Sequence, residues 1–282
     1  MKVIISAEST HDLPQEVIKE KDIRIIPYHI TLGEESFVDG EKTTLEMFEY
    51  VDKTGILPKT NALNVFEYEE YFTELLKDCD AVVHISLSSG LTSSTNNAIL
   101  ASKNVGNVYV VDSKSLSTGI GLLILYAKEL SEEGLDAKEI AEKVEARTEK
   151  VQCSFIVERL DYLHKGGRCS GFQLLGANLL KIRPRLVLKD GKIVNDKKYR
   201  GDMARAVSSY ARDILAEFDT PDLDKVFITY TTATPEMEAA ARKAVEEAGF
   251  KNIYQTFAGG TIASHCGANT IGILYFNDGD KQ

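Results

Sequence analysis

Short apolar runs alternate with longer amphipathic segments through the first half of this 282-residue chain. The runs have the length of buried strands, and the segments between them have the apolar spacing of helices. The predicted strands are residues 3–6, 23–32, 81–85 and 108–111, and the predicted helices are residues 13–20, 44–51, 65–76, 97–101 and 119–130. Strands separated by helices pair in parallel through right-handed crossovers. The pattern therefore predicts an α/β fold with a parallel sheet in this half.

The second half changes character after a predicted helix at residues 137–150. Asp190-Gly191 is a good hairpin turn signal between two short strands. The predicted strands of this half are residues 154–157, 185–189, 192–195, 226–230 and 271–276, and its helices are residues 203–218 and 236–248. A hairpin beside helices indicates a mixed sheet and a second domain. We expect an N-terminal domain of residues 1–151 and a C-terminal domain of residues 152–282.

A hydroxyl-rich run joins the third predicted strand of the first half to the helix after it. It reads Ser86-Leu87-Ser88-Ser89-Gly90-Leu91-Thr92-Ser93-Ser94-Thr95. Ligands of open α/β sheets bind at the carboxyl ends of strands, where free amides of the next helix add partial positive charge. One or two hydroxyls would suffice to cap the helix. The surplus favours a binding site for a carboxylate or a phosphate.

Three other polar turns are candidates for the same site. Residues 8–12 and residues 112–115 each follow a predicted strand, and residues 59–61 precede a helix. In a parallel sheet the two turns that follow strands share one edge with the hydroxyl-rich run, and Thr60 is placed to join them. Each turn taken alone is an ordinary helix start, so only their convergence would make a site.

Two glycine-containing segments of the second half also carry charge. Residues 165–168 place Arg168 after two glycines, and residues 258–267 place His265 among small residues. Small residues let a backbone or a ligand approach closely, and a histidine donates to an anion or carries a proton. A lone histidine in such a setting is more often structural than catalytic.

The usual catalytic templates are absent from the sequence. There is no GxSxG elbow, no GxxxxGK[ST] loop, no HExxH motif and no complete dinucleotide fingerprint. The five histidines are too scattered to suggest a metal site. The sequence therefore indicates a protein that holds an anion rather than one that transforms it.

Charge and cysteine content narrow the class of partner. The formal net charge of -10 disfavours nonspecific binding to nucleic acid or to an anionic bilayer. Four cysteines without a CxxC pairing fit a reducing compartment, and neither a signal peptide nor a membrane span is recognisable. We expect a soluble cytoplasmic protein that makes at most transient membrane contact.

Residues 151–200 form a basic island within this acidic chain. They contain eleven Lys or Arg and four Asp or Glu, a balance of +7, so the remaining residues carry -17. An ordinary solvated face and a docking surface for an acidic partner both fit the pattern. The docking candidates are Arg168, Lys181, Arg183 and Lys198.

Seven segments, taken in order, resemble the DegV family, the fatty-acid-binding proteins that serve fatty acid kinase in bacteria. The segments are Glu8-Ser9-Thr10-His11-Asp12-Leu13, Pro58-Lys59-Thr60-Asn61-Ala62, Ser88-Ser89-Gly90-Leu91-Thr92-Ser93-Ser94, Val110-Val111-Asp112-Ser113-Lys114-Ser115, Leu163-His164-Lys165-Gly166-Gly167-Arg168, Leu180-Lys181-Ile182-Arg183-Pro184 and His265-Cys266-Gly267. Together they span nearly the whole chain. The departures from the family pattern are Glu8 for Asp, Asn61-Ala62 for Ser-Gln and Ser93 for Gly, and the Ser93 side chain would narrow the mouth of the site.

The resemblance implies a DegV-like fold of two domains with one long-chain fatty acid between them. The N-terminal domain would be a three-layer α/β/α domain with a parallel sheet, and the C-terminal α/β domain would have a mixed sheet. The protein would be a non-catalytic subunit, without a cofactor or metal of its own, that presents the fatty acid to the catalytic subunit of fatty acid kinase. That kinase would supply ATP and magnesium. The implied carboxylate-binding residues are Thr60, Thr92, Ser93, Ser94, Arg200 and His265, and the sequence leaves open whether Arg200 or Arg168 contacts the head group.

The acyl chain of such a ligand would dominate its affinity. A chain of about 16 to 18 carbons, such as that of palmitate, contributes roughly 12 kcal/mol of apolar burial before binding entropy is subtracted. Dehydration of the carboxylate offsets most of its hydrogen bonding, so the head group supplies orientation more than strength. The candidates for the tunnel or its mouth are Ser88, Ser89, Ile120, Leu123, Phe172 and Leu175.

Two other functions are compatible with the sequence. A Ser/His hydrolase or acyltransferase would use Ser93 or Ser94 as nucleophile and His265 as base, with an acid that orients the ring. A phospho-metabolite-binding adaptor would offer the same donors to a phosphate. A long apolar tunnel favours the fatty acid, and a short polar cavity favours the phosphorylated ligand.

Overall fold

The computed structural model describes residues 2–168 and 181–279, which form three β-sheets and ten α-helices. The strands are β1 Val3–Glu8, β2 Arg24–Ile26, β3 His29–Leu32, β4 Glu35–Val38, β5 Lys59–Asn61, β6 Ala81–Ser86, β7 Val108–Asp112, β8 Val151–Ile156, β9 Ile182–Lys189, β10 Lys192–Arg200, β11 Lys225–Tyr230, β12 Asn252–Phe257 and β13 Ile271–Phe276. The helices are α1 Gln15–Glu20, α2 Thr44–Thr54, α3 Val65–Leu75, α4 Ser94–Val105, α5 Thr118–Glu132, α6 Ala137–Arg147, α7 Asp161–Lys165, α8 Met203–Glu217, α9 Pro235–Glu247 and α10 Gly260–Cys266. Within these ranges, no helix is both long and apolar enough to cross a lipid bilayer.

The first half of the chain, residues 2–150, forms the parallel sheet that the alternating pattern predicts. Its strand order is β2-β1-β6-β7, and every pairing in it is parallel. β6 is buried along its whole length, as expected for a strand covered on both faces. The turns after β6 and β7 bond to each other, since the Ser88 amide donates to the Ser115 carbonyl at 3.1 Å. Polar turns therefore meet at the carboxyl edge of one sheet.

The prediction of a single strand at residues 23–32 is wrong. β2 ends at Ile26 and β3 begins at His29, and the two strands belong to different sheets. Pro27 lies between them, and its ring fixes φ and removes an N–H that the ladder would need. β3 pairs antiparallel with β4 and β5 in a small three-stranded sheet. Thr60 therefore lies on a strand, β5, and not in a turn of the parallel sheet.

The second half, residues 151–279, forms a mixed sheet with the order β10-β9-β8-β13-β11-β12. Its β11–β12 pair is parallel, and the other pairs are antiparallel. Asp190 and Gly191, with φ values of 49° and 73°, close the β9–β10 hairpin as predicted. Sequence patterns did not predict β12, α7 or α10, because α7 and α10 are short and β12 is an edge strand of mostly polar or half-buried residues.

The two faces of the mixed sheet pack against different partners. On β13, Ile271, Ile273 and Tyr275 join a core with α8 and α9, whereas Leu274 and Phe276 join the core of the first half. Side chains alternate across a strand, so this pattern follows from the period of two residues. α5 contacts β1 and β6 on one side and β8 and β13 on the other. The two halves thus share one continuous core around α5.

Candidate functional site

A cavity lies where the first half meets the second, with about 520 Å³ of space that includes a part open to solvent. Its lining residues come from both halves: Tyr28, Thr60, Ala62, Leu87, Leu91, Thr92, Leu116, Leu163, Arg168, Ile193, Thr261, Ile262, His265 and Cys266. Most of these side chains are apolar, and the polar ones are hydroxyls, one arginine and one histidine. The structure therefore brings Thr60, Thr92 and His265, which lie far apart in sequence, to one cavity.

Thr60 and His265 form a hydrogen-bonded pair in the cavity wall. The Thr60 Oγ1 atom lies 2.8 Å from His265 Nε2 and joins β5 to α10. Burial and, after it, the positive charge of Arg168 lower the pKa of His265 to about 4. The ring is therefore neutral at pH 7. With its proton on Nε2, His265 donates to Thr60 and leaves the Thr60 hydroxyl hydrogen for an anion.

Thr92 lies in a second hydroxyl cluster in the same wall. Its Oγ1 accepts from the Tyr28 hydroxyl at 3.3 Å and donates to Ser94 Oγ at 3.1 Å. Burial, followed by the negative charge of Glu8, raises the pKa of Tyr28 above its ordinary value, so Tyr28 remains a donor. Ser94 is buried beneath the wall, where its Oγ accepts from the Leu63 amide at 3.0 Å. Ser94 thus ties the loop to the segment after β5.

The arginine at the cavity is Arg168, which the sequence analysis assigned to partner docking. Its guanidinium donates to the Leu91 carbonyl at 3.3 Å and to the Gly166 carbonyl at 2.5 Å. Arg200, which the resemblance placed near the head group, is exposed at the end of β10 and does not line the cavity. Alternation along β10 explains this placement, because Tyr199 turns into the core and leaves Arg200 towards solvent.

Most serines of the hydroxyl-rich run serve the loop itself. Ser88 is fully buried, and its Oγ donates to the Gly191 carbonyl of the β9–β10 turn at 2.7 Å. Ser89 is exposed and donates to Asp112 at 2.5 Å. Ser93 is exposed at the start of α4. None of these three serines lines the cavity. Thr92 is the hydroxyl residue of the run that lines it, and the other hydroxyls hold the loop in place.

A buried carboxylate holds the base of this loop. Glu8 is fully buried and accepts from Tyr68 Oη at 2.7 Å, Ser86 Oγ at 2.6 Å, the Leu87 amide at 2.8 Å and His84 Nε2 at 3.2 Å. Burial alone would raise its pKa, but His84 and these hydrogen bonds outweigh burial and lower it. Glu8 is therefore an anion that anchors Leu87, a residue of the cavity wall.

A second cavity adjoins the first, with about 320 Å³ of space that includes a part open to solvent. The two share Leu116, Ile262 and Cys266 in their walls. Hydroxyl residues line the second cavity, but their oxygens bond within the protein: Ser117 to Asp12, Ser154 to Tyr210, Thr229 to Thr118 and Thr256, Thr231 to the Gly267 carbonyl, and Thr270 to the Cys266 carbonyl. The second cavity therefore extends the first with a mainly apolar surface.

The apolar candidates for the tunnel lie elsewhere. Ile120 and Leu123 are fully buried in the shared core and do not line either cavity. Leu116, at the turn before α5, lines both cavities. Phe172 and Leu175 lie outside the described residues. The apolar spacing of α5 at Ile120 and Leu123 thus reflects core packing.

Acidic residues pair with some of the arginines of the basic island and neutralise part of its positive charge. Arg183 pairs with Glu158 at 3.2 Å, and the nearly buried Arg185 bonds Asp196 and Glu217. Lys181 and Lys198, the other docking candidates, are exposed. The positive surface of the island is therefore smaller than its composition suggests.

The described residues do not assemble a serine hydrolase. The hydroxyl on His265 Nε2 belongs to Thr60, while Ser94 bonds Leu63 and Thr92. Nδ1 of His265, where an orienting acid would bond, has no hydrogen-bond partner within residues 2–168 and 181–279. In the same ranges, no group of three or more His, Cys, Asp or Glu is arranged to hold a metal ion.

Sequence reasoning missed two polar residues of the cavity. Tyr28 follows the break at Pro27, and treating residues 23–32 as one strand concealed it. Thr261 is buried at the start of α10, and its Oγ1 has no hydrogen-bond partner among the described residues. The Gly259-Gly260 pair before Thr261 was a usable signal, because small residues mark a close approach.

Comparison with known proteins agrees with this architecture. A fatty acid-binding protein of Thermotoga maritima is 31% identical over 281 residues, 96% of each chain. A solved structure titled for fatty acid binding by a DegV family protein of Thermus thermophilus has a TM-score of 0.89 at 28% identity and covers 98% of this chain and 99% of its own. A stearic acid-binding protein of Eubacterium ventriosum has a TM-score of 0.84 at 26% identity and covers 97% and 98%.

A family model described as "Uncharacterised protein, DegV family" matches residues 2–278. This range contains all three sheets and every residue that lines the two cavities. The resemblance seen in the sequence is therefore confirmed, and this chain belongs to the DegV family.

Proposed function

We propose that this protein binds one long-chain fatty acid between two domains that meet near Val151. The carboxylate lies at Thr60, Thr92, His265 and Arg168, and the acyl chain extends past Leu116 into the second cavity. The observation that carries the proposal is a mostly apolar cavity that holds a few hydroxyls, Arg168 and His265 and adjoins a second, mainly apolar cavity. The fatty acids named for the related structures support the same ligand class.

The donors at the head group suit a carboxylate. Arg168 supplies a permanent positive charge, and Thr60 and Thr92 supply hydroxyls at the same wall. Charge-assisted hydrogen bonds of this kind are shorter and stronger than neutral ones. Arg200 is left out of the proposed head-group set because it is exposed and does not line the cavity. Ser94 supports Thr92 from beneath, and Ser93 lies exposed at the start of α4.

The apolar extension supplies most of the affinity. Each buried CH₂ contributes about 0.8 kcal/mol, so the acyl chain outweighs a head group that must be dehydrated. A phosphorylated metabolite would leave the second cavity unused. A fatty acid is therefore the better ligand for this pair of cavities.

We also propose that the protein is a non-catalytic subunit and presents the carboxylate to a fatty acid kinase, which brings ATP and magnesium. Phosphoryl transfer depends on positioning and charge stabilisation, so the holder of the acceptor needs no nucleophile of its own. The exposed Lys181 and Lys198 are the proposed contacts for an acidic surface of that kinase.

Thermal unfolding and native mass spectrometry test fatty acid binding. Protein stripped of lipid should bind one palmitate, and ligand at a hundred times its Kd should stabilise the fold by about 2.7 kcal/mol. Hexadecanol, which lacks the carboxylate, should bind more weakly. The absence of both a bound acyl mass and a shift in Tm would reject the proposal.

An acyl phosphate assay tests the kinase partner. A fatty acid kinase catalytic subunit with ATP, magnesium and palmitate should form acyl phosphate only when this protein is added. The double variant Lys181→Glu with Lys198→Glu should slow that reaction while it leaves palmitate binding intact. Formation of acyl phosphate at the same rate without this protein would contradict the presenting role.

A further inference from the structure

Asp39, which follows β4 in the first half of the chain, hydrogen-bonds the first turn of α10 in the second half. Its Oδ1 accepts from the Gly260 amide at 2.9 Å, and its Oδ2 accepts from the Thr261 amide at 3.2 Å. The first amides of a helix have no partner within the helix, and a carboxylate there is stabilised by their dipoles. Asp39 therefore caps α10 across the boundary between the halves.

Asp39 is also linked to Tyr28, another residue that lines the cavity. The Asp39 amide donates to the Tyr28 carbonyl at 2.8 Å, and the Tyr28 amide donates to Ser9 Oγ at 3.2 Å. Ser9 Oγ in turn donates to Asp39 Oδ2 at 2.8 Å. The Asp39 carboxylate thus bonds the start of α10 directly and Tyr28 through Ser9, and the Asp39 backbone adds a direct bond to Tyr28.

The glycines before and at the start of α10 allow this contact. A Cβ at Gly260 would lie 2.8 Å from Ile30 Cδ1 and 3.0 Å from Asp39 Oδ1. A second carboxylate, Asp12, accepts from the Gly259 amide at 2.8 Å. Gly259 and Gly260 therefore allow the backbone to approach the carboxyl groups of Asp12 and Asp39.

α10 carries much of the head-group wall. Thr261, Ile262, His265 and Cys266 all line the first cavity, and His265 reaches Thr60 from this helix. The helix has seven residues, so a shift of its first turn moves His265 as well. We propose that Asp39 is a positioning residue of the head-group site, which sets the position of the Thr60–His265 pair relative to the Tyr28–Thr92 pair. This inference rests on the proposed fatty acid binding.

The variant Asp39→Asn tests the inference, with Asp136→Asn as a matched control. Asp136 caps α6 in the same way, accepting from the Glu139 amide at 2.9 Å, and it does not line either cavity. Both variants should lose some thermal stability. Only Asp39→Asn should weaken palmitate binding, by about tenfold, while hexadecanol binding changes less than twofold.

The variant Gly260→Ala disturbs the same contact from the helix side and should show the same selective loss for palmitate. An equal loss for palmitate and hexadecanol, or unchanged palmitate binding in folded Asp39→Asn protein, would overturn the proposal. Those outcomes would give Asp39 a purely structural role.

A measurement without ligand separates this inference from the proposed function. The imidazole ¹H–¹³C signals of His265, assigned with His265→Asn, should move in Asp39→Asn and stay in place in Asp136→Asn. If the wild-type protein binds neither palmitate nor hexadecanol, fatty acid binding is rejected. The His265 signals then still decide, because unchanged signals in Asp39→Asn would overturn the positioning role and shifted signals would support it.

Discussion

The hydroxyl group of Thr60 has two roles at this cavity. It bonds a neutral histidine that burial keeps from protonating, and it faces space that a carboxylate can fill. A protonated His265 would add charge beside Arg168, which the low pKa of His265 avoids at neutral pH. The proposed head-group site would therefore use hydroxyl donors and one arginine at pH 7.

The variant Thr60→Val should lower palmitate affinity roughly 10- to 100-fold, the loss expected for a hydrogen bond to a charged group. Valine has a similar shape but leaves His265 Nε2 without its partner, so we also expect a loss of about 1 to 3 kcal/mol in stability. Isothermal titration of lipid-free protein measures the affinity. Ser93→Ala, at an exposed position outside the cavity, is the control and should bind like the wild type. Equal affinities in Thr60→Val and Ser93→Ala would exclude Thr60 from the head-group site.

The variant Glu8→Ala should destabilise the protein strongly. It leaves His84, Tyr68 and Ser86 without their shared acceptor, and breaking a buried charged network costs about 3 to 5 kcal/mol. Urea unfolding measures the loss. Glu49→Ala, which removes an exposed pair with Lys53, should cause no measurable change. A wild-type midpoint for Glu8→Ala would show that the network adds nothing to stability.

At the scale of elements, the tip of the β9–β10 hairpin is packed into the hydroxyl-rich loop. Ser88 Oγ bonds the Gly191 carbonyl, and a Cβ at Gly90 would lie 2.5 Å from that same carbonyl oxygen. Ile193, two residues after the turn, lines the first cavity. The loop and the hairpin thus set one wall of the cavity together.

The variant Gly90→Ala should push the hairpin tip away from the loop. The methyl group meets backbone atoms, so we expect a loss of about 1 to 3 kcal/mol and weaker palmitate binding through Ile193. Urea unfolding and titration measure the two effects. Ser89→Ala, on the exposed side of the same loop, should change neither. Full stability in Gly90→Ala would mean that the two elements separate easily.

At the scale of the whole molecule, three titratable groups at the junction of the halves have displaced pKa values. Burial lowers the pKa of His11 to about 4 and, with the charge of Arg168, that of His265 to about 4. Burial raises the pKa of Asp12 to about 7. The histidines stabilise the fold above pH 6.5 and lose that effect as pH falls towards 4. Asp12 acts in the opposite sense, because its stabilising effect is present below pH 4 and is lost as pH rises through 7.

The variant Asp12→Asn should therefore lose more stability than the wild type between pH 7 and pH 4, by up to about 4 kcal/mol. Asparagine accepts the left-handed backbone of this position, where φ is 49°. Unfolding free energies at several pH values measure the difference. Asp190→Asn, an exposed aspartate with the same φ, is the control. Parallel pH profiles for Asp12→Asn and the wild type would contradict the displaced pKa.

Strands and helices with a clear period of apolar residues were predictable from the sequence, and contacts between distant residues were not. The strands of the parallel sheet and the Asp190-Gly191 hairpin follow from local patterns of apolar and turn residues. Pro27 was a visible break, yet its consequence, a change of sheet, depends on where β4 and β5 lie. The pairing of Thr60 with His265 joins residues 205 positions apart, and no local pattern encodes it.

Arg168 and Arg200 also show that a local pattern does not decide a long-range contact. Arg168 and Arg200 are both basic residues beside polar segments, and the sequence cannot say which of them reaches the cavity. The structure decides it through the alternation of β10, which turns Arg200 outward, and through α7, after which Arg168 points to Leu91.

The amino-acid sequence by itself determined the α/β class, the parallel and mixed sheets and a hydroxyl-rich loop at the carboxyl edge of the parallel sheet, because these depend on patterns of a few residues. Only the tertiary structure decided which hydroxyls face the cavity, which arginine joins them and how Asp39 places α10. Those contacts arise where two halves close on a shared core, so their geometry depends on packing between residues that are distant along the chain.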